Sequence, residues 1–265
     1  MKKMNKVNKL RQLIVAIVFV MSVFACKTNN RSNVEVTSIT VADSSYNYTD
    51  DTTINNIVII NYLDAKCASG ENSIAETVNQ DFFIWLKQFF FVDNDDTDIT
   101  KDNLKDVVAS DIKAFIKDVN EDKSLADCKP CRSAELSVSS SLYQNSSIIS
   151  AVYSYYQYSG GAHGGYGCTA FNYSKKDGTP ITVENLSTNI DELTAIAEKA
   201  FVEQNGEITD YWFEDNKFYL PDVFYFTENK IEFYYNLYEI ASYAAGAIVI
   251  ELNNDDVKHL IDYLD

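Results

Sequence analysis

The apolar positions of this chain change their spacing several times. Leu13 to Ala25 is an almost unbroken apolar run, and residues 27–55 are rich in Asn, Ser, Thr and Asp with few large apolar groups. Ile57 to Leu63 is apolar and β-branched, the pattern of a strand. Ser73-x-x-Glu76 then has capping-box form, and Ile74, Val78, Phe82, Trp85 and Phe89 follow at helical spacing. Phe83, Phe90 and Phe91 widen that face, which predicts a deeply buried helix. Asp93 to Asp98 is an acidic loop without the Gly and Glu of a calcium-binding EF-hand. Leu104, Val108, Ile112, Phe115 and Val119 mark a second amphipathic helix.

From Glu135 the period falls to two. Leu136 and Val138 alternate with polar residues, Gln144 to Ser147 supplies a turn, and Ile148 to Tyr158 returns as a longer strand. That strand is apolar on both faces, so it is expected to be central or covered twice. Thr169 to Tyr173 reads as a strand, Lys176-Asp177-Gly178 as a turn, and Ile181 to Leu186 as a short extended piece. Asn189 and Glu192 open a helix with Leu193, Ile196, Ala197, Ala200 and Phe201 on one face. Val223 to Phe226 and Ile231 to Tyr235 form a hairpin, and Ala247 to Leu252 is a last strand. A C-terminal helix from Asn254 carries Val257, Leu260, Ile261 and Leu264. Strand pairs joined by tight turns with helices between them predict an α+β fold with a mainly antiparallel sheet and packed helices, preceded by a helix-rich N-terminal part.

The N-terminus changes the picture from fold to address. Residues 1–11 contain Lys2, Lys3, Lys6, Lys9 and Arg11 and no acid. The apolar run behind them is short for a bilayer of about 30 Å and ends at Val23-Phe24-Ala25-Cys26. A basic start, a short apolar stretch and a small residue describe an export signal. The ending is similar to a bacterial lipobox, which makes Cys26 the expected lipidation site and the outer membrane of the envelope the expected location. The expected organisation is 1–25 signal peptide, 26–55 flexible tether, 56–134 helix-rich companion domain and 135–265 α+β domain. The whole chain carries 22 basic and 39 acidic residues; loss of residues 1–25 leaves 17 against 39, a net charge of −22. So acidic a surface excludes nucleic acid as a natural partner and suits a cationic one.

Cys67, Cys128, Cys131 and Cys168 remain. An even number of cysteines in an exported chain favours disulfides over the two other readings, a redox Cys-x-x-Cys pair and a zinc site. The reading adopted is that Cys128 or Cys131 pairs with Cys67 or Cys168. No metal or cofactor is called for.

Five of the nine glycines lie in residues 160–167, Gly160-Gly161-Ala162-His163-Gly164-Gly165-Tyr166-Gly167, directly after the aromatic strand. Tyr156-Gln157-Tyr158-Ser159-Gly160-Gly161-Ala162-His163 resembles the signature of an uncharacterised extracytoplasmic domain family. That family occurs in lysozyme-sensing anti-sigma factors, some peptidoglycan deacetylases and many bacterial lipoproteins. Its further elements are similar to Gly178-Thr179-Pro180-Ile181-Thr182 and to Tyr238-Glu239-Ile240-Ala241-Ser242-Tyr243-Ala244-Ala245-Gly246. The resemblance implies a binding module, with lysozyme as ligand in some members.

The candidate binding residues are therefore Tyr158, Gly160, Gly161, Ala162, His163, Tyr238, Glu239 and Tyr243. Glu239 is expected as the buried partner of His163, and His259 as an exposed residue. The function read from the sequence is a lipid-anchored envelope binding protein without catalysis, with lysozyme or another cationic protein as partner. The alternative is a cell-wall hydrolase working through a His/carboxylate pair, which no spacing singles out.

Overall fold

The structure is a computed structural model that describes residues 34–47, 55–67, 73–91, 98–122, 124, 128 and 132–264. The export signal, Cys26, Cys131 and the acidic loop up to residue 97 lie outside these residues. In chain order the elements are β1 (Val34–Asn47), β2 (Asn55–Cys67), α1 (Ser73–Phe90), α2 (Leu104–Glu121), β3 (Ala134–Gln144), β4 (Ile148–Tyr158) and β5 (Gly165–Ser174). They continue with α3 (Ile190–Asn205), β6 (Phe224–Phe226), β7 (Lys230–Tyr235), β8 (Ile248–Asn253) and α4 (Asn254–Val257). The fold is α+β: a five-stranded sheet in the order β1-β2-β3-β4-β5 and a three-stranded sheet in the order β6-β7-β8.

All strand neighbours are antiparallel except β2 and β3, which run parallel from Asn56↔Ala134 to Ile60↔Val138. A parallel pair needs a long crossover, and α1 and α2 lie in that connection. One face of the large sheet packs on α1: Phe82 stacks on Tyr62 at 5.2 Å and meets Tyr153 at 4.6 Å between ring centroids. Tyr173 Oη donates to Asp81 Oδ2 at 2.7 Å, tying α1 to β5. The first half of β4, Ile148 to Tyr153, is buried on both faces, as its two-sided apolar pattern predicts. The small sheet packs on α3 through a second core that includes Leu193, Ala197, Phe201, Phe233 and Ile250.

A buried polar bridge joins the two sheets. Ser150 Oγ donates to Asn172 Oδ1 at 2.6 Å, Asn172 Nδ2 donates to the Phe224 carbonyl at 2.8 Å, and Phe226 N donates to Ser150 Oγ at 3.1 Å. Each polar group brought inside thereby has a partner. Side-chain amides also occupy backbone groups of single strand residues. Asn79 bonds both N and O of Ala65, Gln204 both of Glu251, and Asn236 both of Cys168. An occupied edge presents fewer free backbone groups to another chain.

Three local expectations are corrected. Val34–Asn47 lies within the stretch read as a tether, yet it is a strand paired along β2. Its Val, Thr and Ile content is β-favouring, which the scarcity of large apolar residues masked. Residues 181–186 contain a 3-10 turn, Val183–Asn185, where Asn185 Oδ1 accepts from Thr182 N. The C-terminal helix ends at Val257, after which Leu260 N bonds the Val257 carbonyl and Leu264 N that of Ile261. The chain tightens there because the Leu260 carbonyl is taken by Thr188 N and by the Ser187 and Thr188 hydroxyls. Among the described residues no helix is long and apolar enough to cross a membrane.

Candidate functional site

At the far end of β4 the chain must turn into β5. Gly160 and Gly161 do so at φ of 79° and 122°, where a side chain would be strained. Tyr158 Oη donates to the Gly161 carbonyl at 3.0 Å and fastens the turn from inside. Ala162 and His163 are exposed at its tip. Gly164 is needed for a different reason: a Cβ there would lie 2.5 Å from Tyr156 Oη.

The second segment follows β7. Asn236 receives the end of that strand, and its side chain accepts from Cys168 N at 2.9 Å and donates to the Cys168 carbonyl at 3.0 Å. Asn236 N in turn donates to Glu239 Oε2 at 2.8 Å, and Glu239 N to the Asn236 carbonyl at 3.1 Å. Between them Tyr238 has a left-handed backbone, φ 66°, which holds its ring out in solvent.

The two segments meet ring on ring. His163 stacks on Tyr243 at 3.9 Å between centroids with 26° between the planes. Tyr166 and Tyr238 lie against the same Tyr243 ring at 6.3 Å and 5.9 Å. Gly246 leaves room for the Tyr166 hydroxyl, which a Cβ would approach to 3.1 Å. The result is a ridge of Tyr156, Tyr166 and Tyr238, all exposed, with His163 and Tyr243 between them.

The expected pair of His163 with Glu239 does not form. His163 Nδ1 lies 3.0 Å from the Gly164 carbonyl oxygen, which can only accept, so that nitrogen carries the proton. The Glu239 carboxylate is instead engaged by Asn236 N, because the tight 236–239 turn folds it back onto its own backbone. Its side chain is crowded by neighbouring atoms while the residue remains open to solvent. That desolvation, with the Asp222 carboxylate nearby, pushes its carboxyl up to about 7, against the pull of the Asn236 hydrogen bond.

The cysteines separate. Cys128 is disulfide-bonded, and Cys131 and the side chain of Cys67 lie outside the described residues. Cys168 is a free, buried thiol, which corrects its place among the disulfide candidates. It sits on β5, and β3 and β4 separate that strand from β2 and Cys67. Three strand spacings are about 14 Å, twice the roughly 7 Å between Cα atoms that a bridge tolerates. No group of three or more potential metal ligands occurs among the described residues. His259 is exposed, as expected, with Nε2 3.6 Å from Glu192 Oε1.

The comparisons with known proteins meet this site from both sides. Residues 180–255 match the family model described as "Protein of unknown function (DUF3298)", and residues 49–166 match the model "Deacetylase PdaC". The chain carries a DUF3298 family domain. The stretch before it is a PdaC-like domain. The Gly160–His163 motif falls in the PdaC-like match, whereas Tyr238 to Gly246 falls in the DUF3298 match. The His163–Tyr243 stack therefore joins the two. A crystal structure of a DUF3298 family member from Bacteroides fragilis NCTC 9343 superposes with a TM-score of 0.69 at 20% identity, covering 88% of this chain and 95% of that one. A DUF3298 family protein from Pseudomonas aeruginosa PAO1 superposes with a TM-score of 0.52 at 12% identity, with the same coverage of 88% and 95%. These likenesses concern the fold. No curated protein matches the chain.

Several residues of the ridge escaped the sequence reading. Tyr166 and Gly246 were within the quoted segments, but nothing in their spacing says that one covers the other. Asn236 has no motif at all; its role follows from where β7 stops beside β5.

Proposed function

We propose that this DUF3298-domain protein is a lipid-anchored binding protein of the bacterial cell envelope that works without catalysis. Its binding edge is the tyrosine ridge, and its partner is a basic protein, with lysozyme the concrete candidate. The observation that carries this reading is the stack of His163 on Tyr243. It fixes two segments distant in sequence as one surface of exposed rings, the residue type that anchors interfaces at low entropy cost. The net charge of −22 after loss of residues 1–25 supports a cationic partner, since it raises the encounter rate. The resemblance of the same two segments to lysozyme-sensing proteins supports the choice of lysozyme.

Calorimetry of lysozyme against the full-length protein in non-ionic detergent tests the reading, with His163→Ala and Tyr243→Ala alongside. Binding is expected at low salt, weaker once the Debye length falls to about 10 Å near 0.1 M, and weaker in both variants. No heat with the wild type at low salt would remove lysozyme; unchanged binding by both variants would move the site. Fatty-acid labelling that Cys26→Ala abolishes tests the anchor.

A further inference from the structure

We infer that a second surface, around Trp212 and Tyr219, receives the cationic side chains of a protein partner. Trp212 is 58% exposed and Tyr219 41%, the two most exposed large rings of the described residues. Both lie against the turn that carries Glu239. Trp212 N donates to the Ile240 carbonyl at 2.7 Å, and the Tyr219 phenol is held up by burial and by the charges of Glu239 and Asp222. Phe213 supports Tyr219 edge-on at 5.4 Å between centroids, and the Tyr235 hydroxyl donates to the Tyr219 carbonyl. Tyr219 is thus held on one side by Phe213 and Tyr235, at 5.4 Å and 5.7 Å between centroids, and open to solvent on the other.

The charge around them is mostly negative. From Glu203 to Asp222 the chain has six carboxylates and one basic residue, Lys217. Asp210, Glu214, Asp215 and Asp222 are exposed and, like Glu239, make no ion pair with a Lys or Arg among the described residues. Glu203, at the start of the same segment, is paired with Lys199 at 3.8 Å, and elsewhere Asp64 is held by Lys66 and Lys101. The backbone is strained at the same place: Asp215 and Asn216, between Trp212 and Tyr219, have left-handed φ of 53° and 55°. Strain of this kind persists where surrounding structure enforces it and clusters at binding sites.

An aromatic face in an acidic stretch, with the Glu239 and Asp222 charges acting on Tyr219, matches one chemistry. A guanidinium or ammonium group is attracted to the ring quadrupole and to the carboxylates together. A neutral sugar would use the rings and leave the charges idle. The inference shares with the proposed function only the premise that the partner is basic.

The chain has two tryptophans, and Trp85 is buried at 7%, so Trp212 is a nearly clean fluorescent reporter. Full-length protein in non-ionic detergent is titrated with a hexa-arginine amide peptide and, separately, with a chitooligosaccharide. Expected is a saturable change in tryptophan emission with the peptide that Trp212→Phe abolishes. The double variant Glu214→Gln with Asp222→Asn is expected to weaken it at least about fivefold, as is a rise in salt. No saturable change at low salt, unaltered affinity in the double variant, or a response to the sugar alone would overturn the inference. The two readings fail separately. A peptide response without lysozyme binding leaves this surface standing and removes lysozyme, whereas lysozyme binding with Trp212 silent to the peptide does the reverse.

Discussion

Asn236 grips both backbone polar groups of Cys168, from 68 residues away, with hydrogen bonds of 2.9 Å and 3.0 Å. It is the joint between the edge strand β5 and the turn that presents Tyr238 and Tyr243. Asn236→Ala should cost about 2 kcal/mol, two hydrogen bonds at about 1 kcal/mol each. Urea denaturation measures it. The loss should appear as a lower midpoint with an unchanged slope, and a midpoint equal to that of the wild type would show that β5 holds without the clasp.

The neighbouring glycines should respond unequally to alanine. A Cβ at Gly167 would lie 2.3 Å from Asn236 Oδ1 and 2.6 Å from Tyr155 Oη, whereas one at Gly165 meets nothing within 4 Å. Gly167→Ala is expected to destabilise by roughly 1–3 kcal/mol. Gly165→Ala should stay within about 0.5 kcal/mol. Thermal unfolding of the pair decides; equal effects would contradict the close approach.

Glu239 predicts a pH dependence with a defined sign. Its carboxyl is raised from 4.5 to about 7 in the folded chain. Between those values the folded state binds more proton than the unfolded state, so stability falls as pH rises through the interval. Solvent access at Glu239 screens the charge, so the slope should be shallow. Glu239→Gln keeps an acceptor for Asn236 N and should remove that slope. Unfolding free energies at pH 5, 6 and 7 for both proteins give the comparison, and parallel profiles would refute it.

Cys168 should be chemically silent in the native protein. Burial pushes its thiol up to about 12, with the Glu232 charge adding and a hydrogen bond with Ser154 opposing. Iodoacetamide at pH 8 is expected to leave it unmodified until denaturant is added, since the thiolate is the reactive form. Peptide mapping with native labelling at Cys168 would show that β5 opens readily.

The sequence by itself determined most of the element types of the described residues and the two segments that meet at the joint. Helical spacing from Ile74 to Phe89 and alternation from Leu136 onward settle α1 and β3, because amphipathic period is a local property. The glycine run likewise marked where the aromatic strand ends. What the chain could not state locally was partnership. His163, expected beside the Glu239 carboxylate, stacks on the Tyr243 ring, while Glu239 turns back to Asn236 N at 2.8 Å. The strand at Val34–Asn47 hid in polar composition because its stability comes from pairing with β2. Which side chains meet, and which rings stay in water, depends on strand register and on where β7 ends beside β5. Those are settled only when residues far apart in sequence compete for the same space.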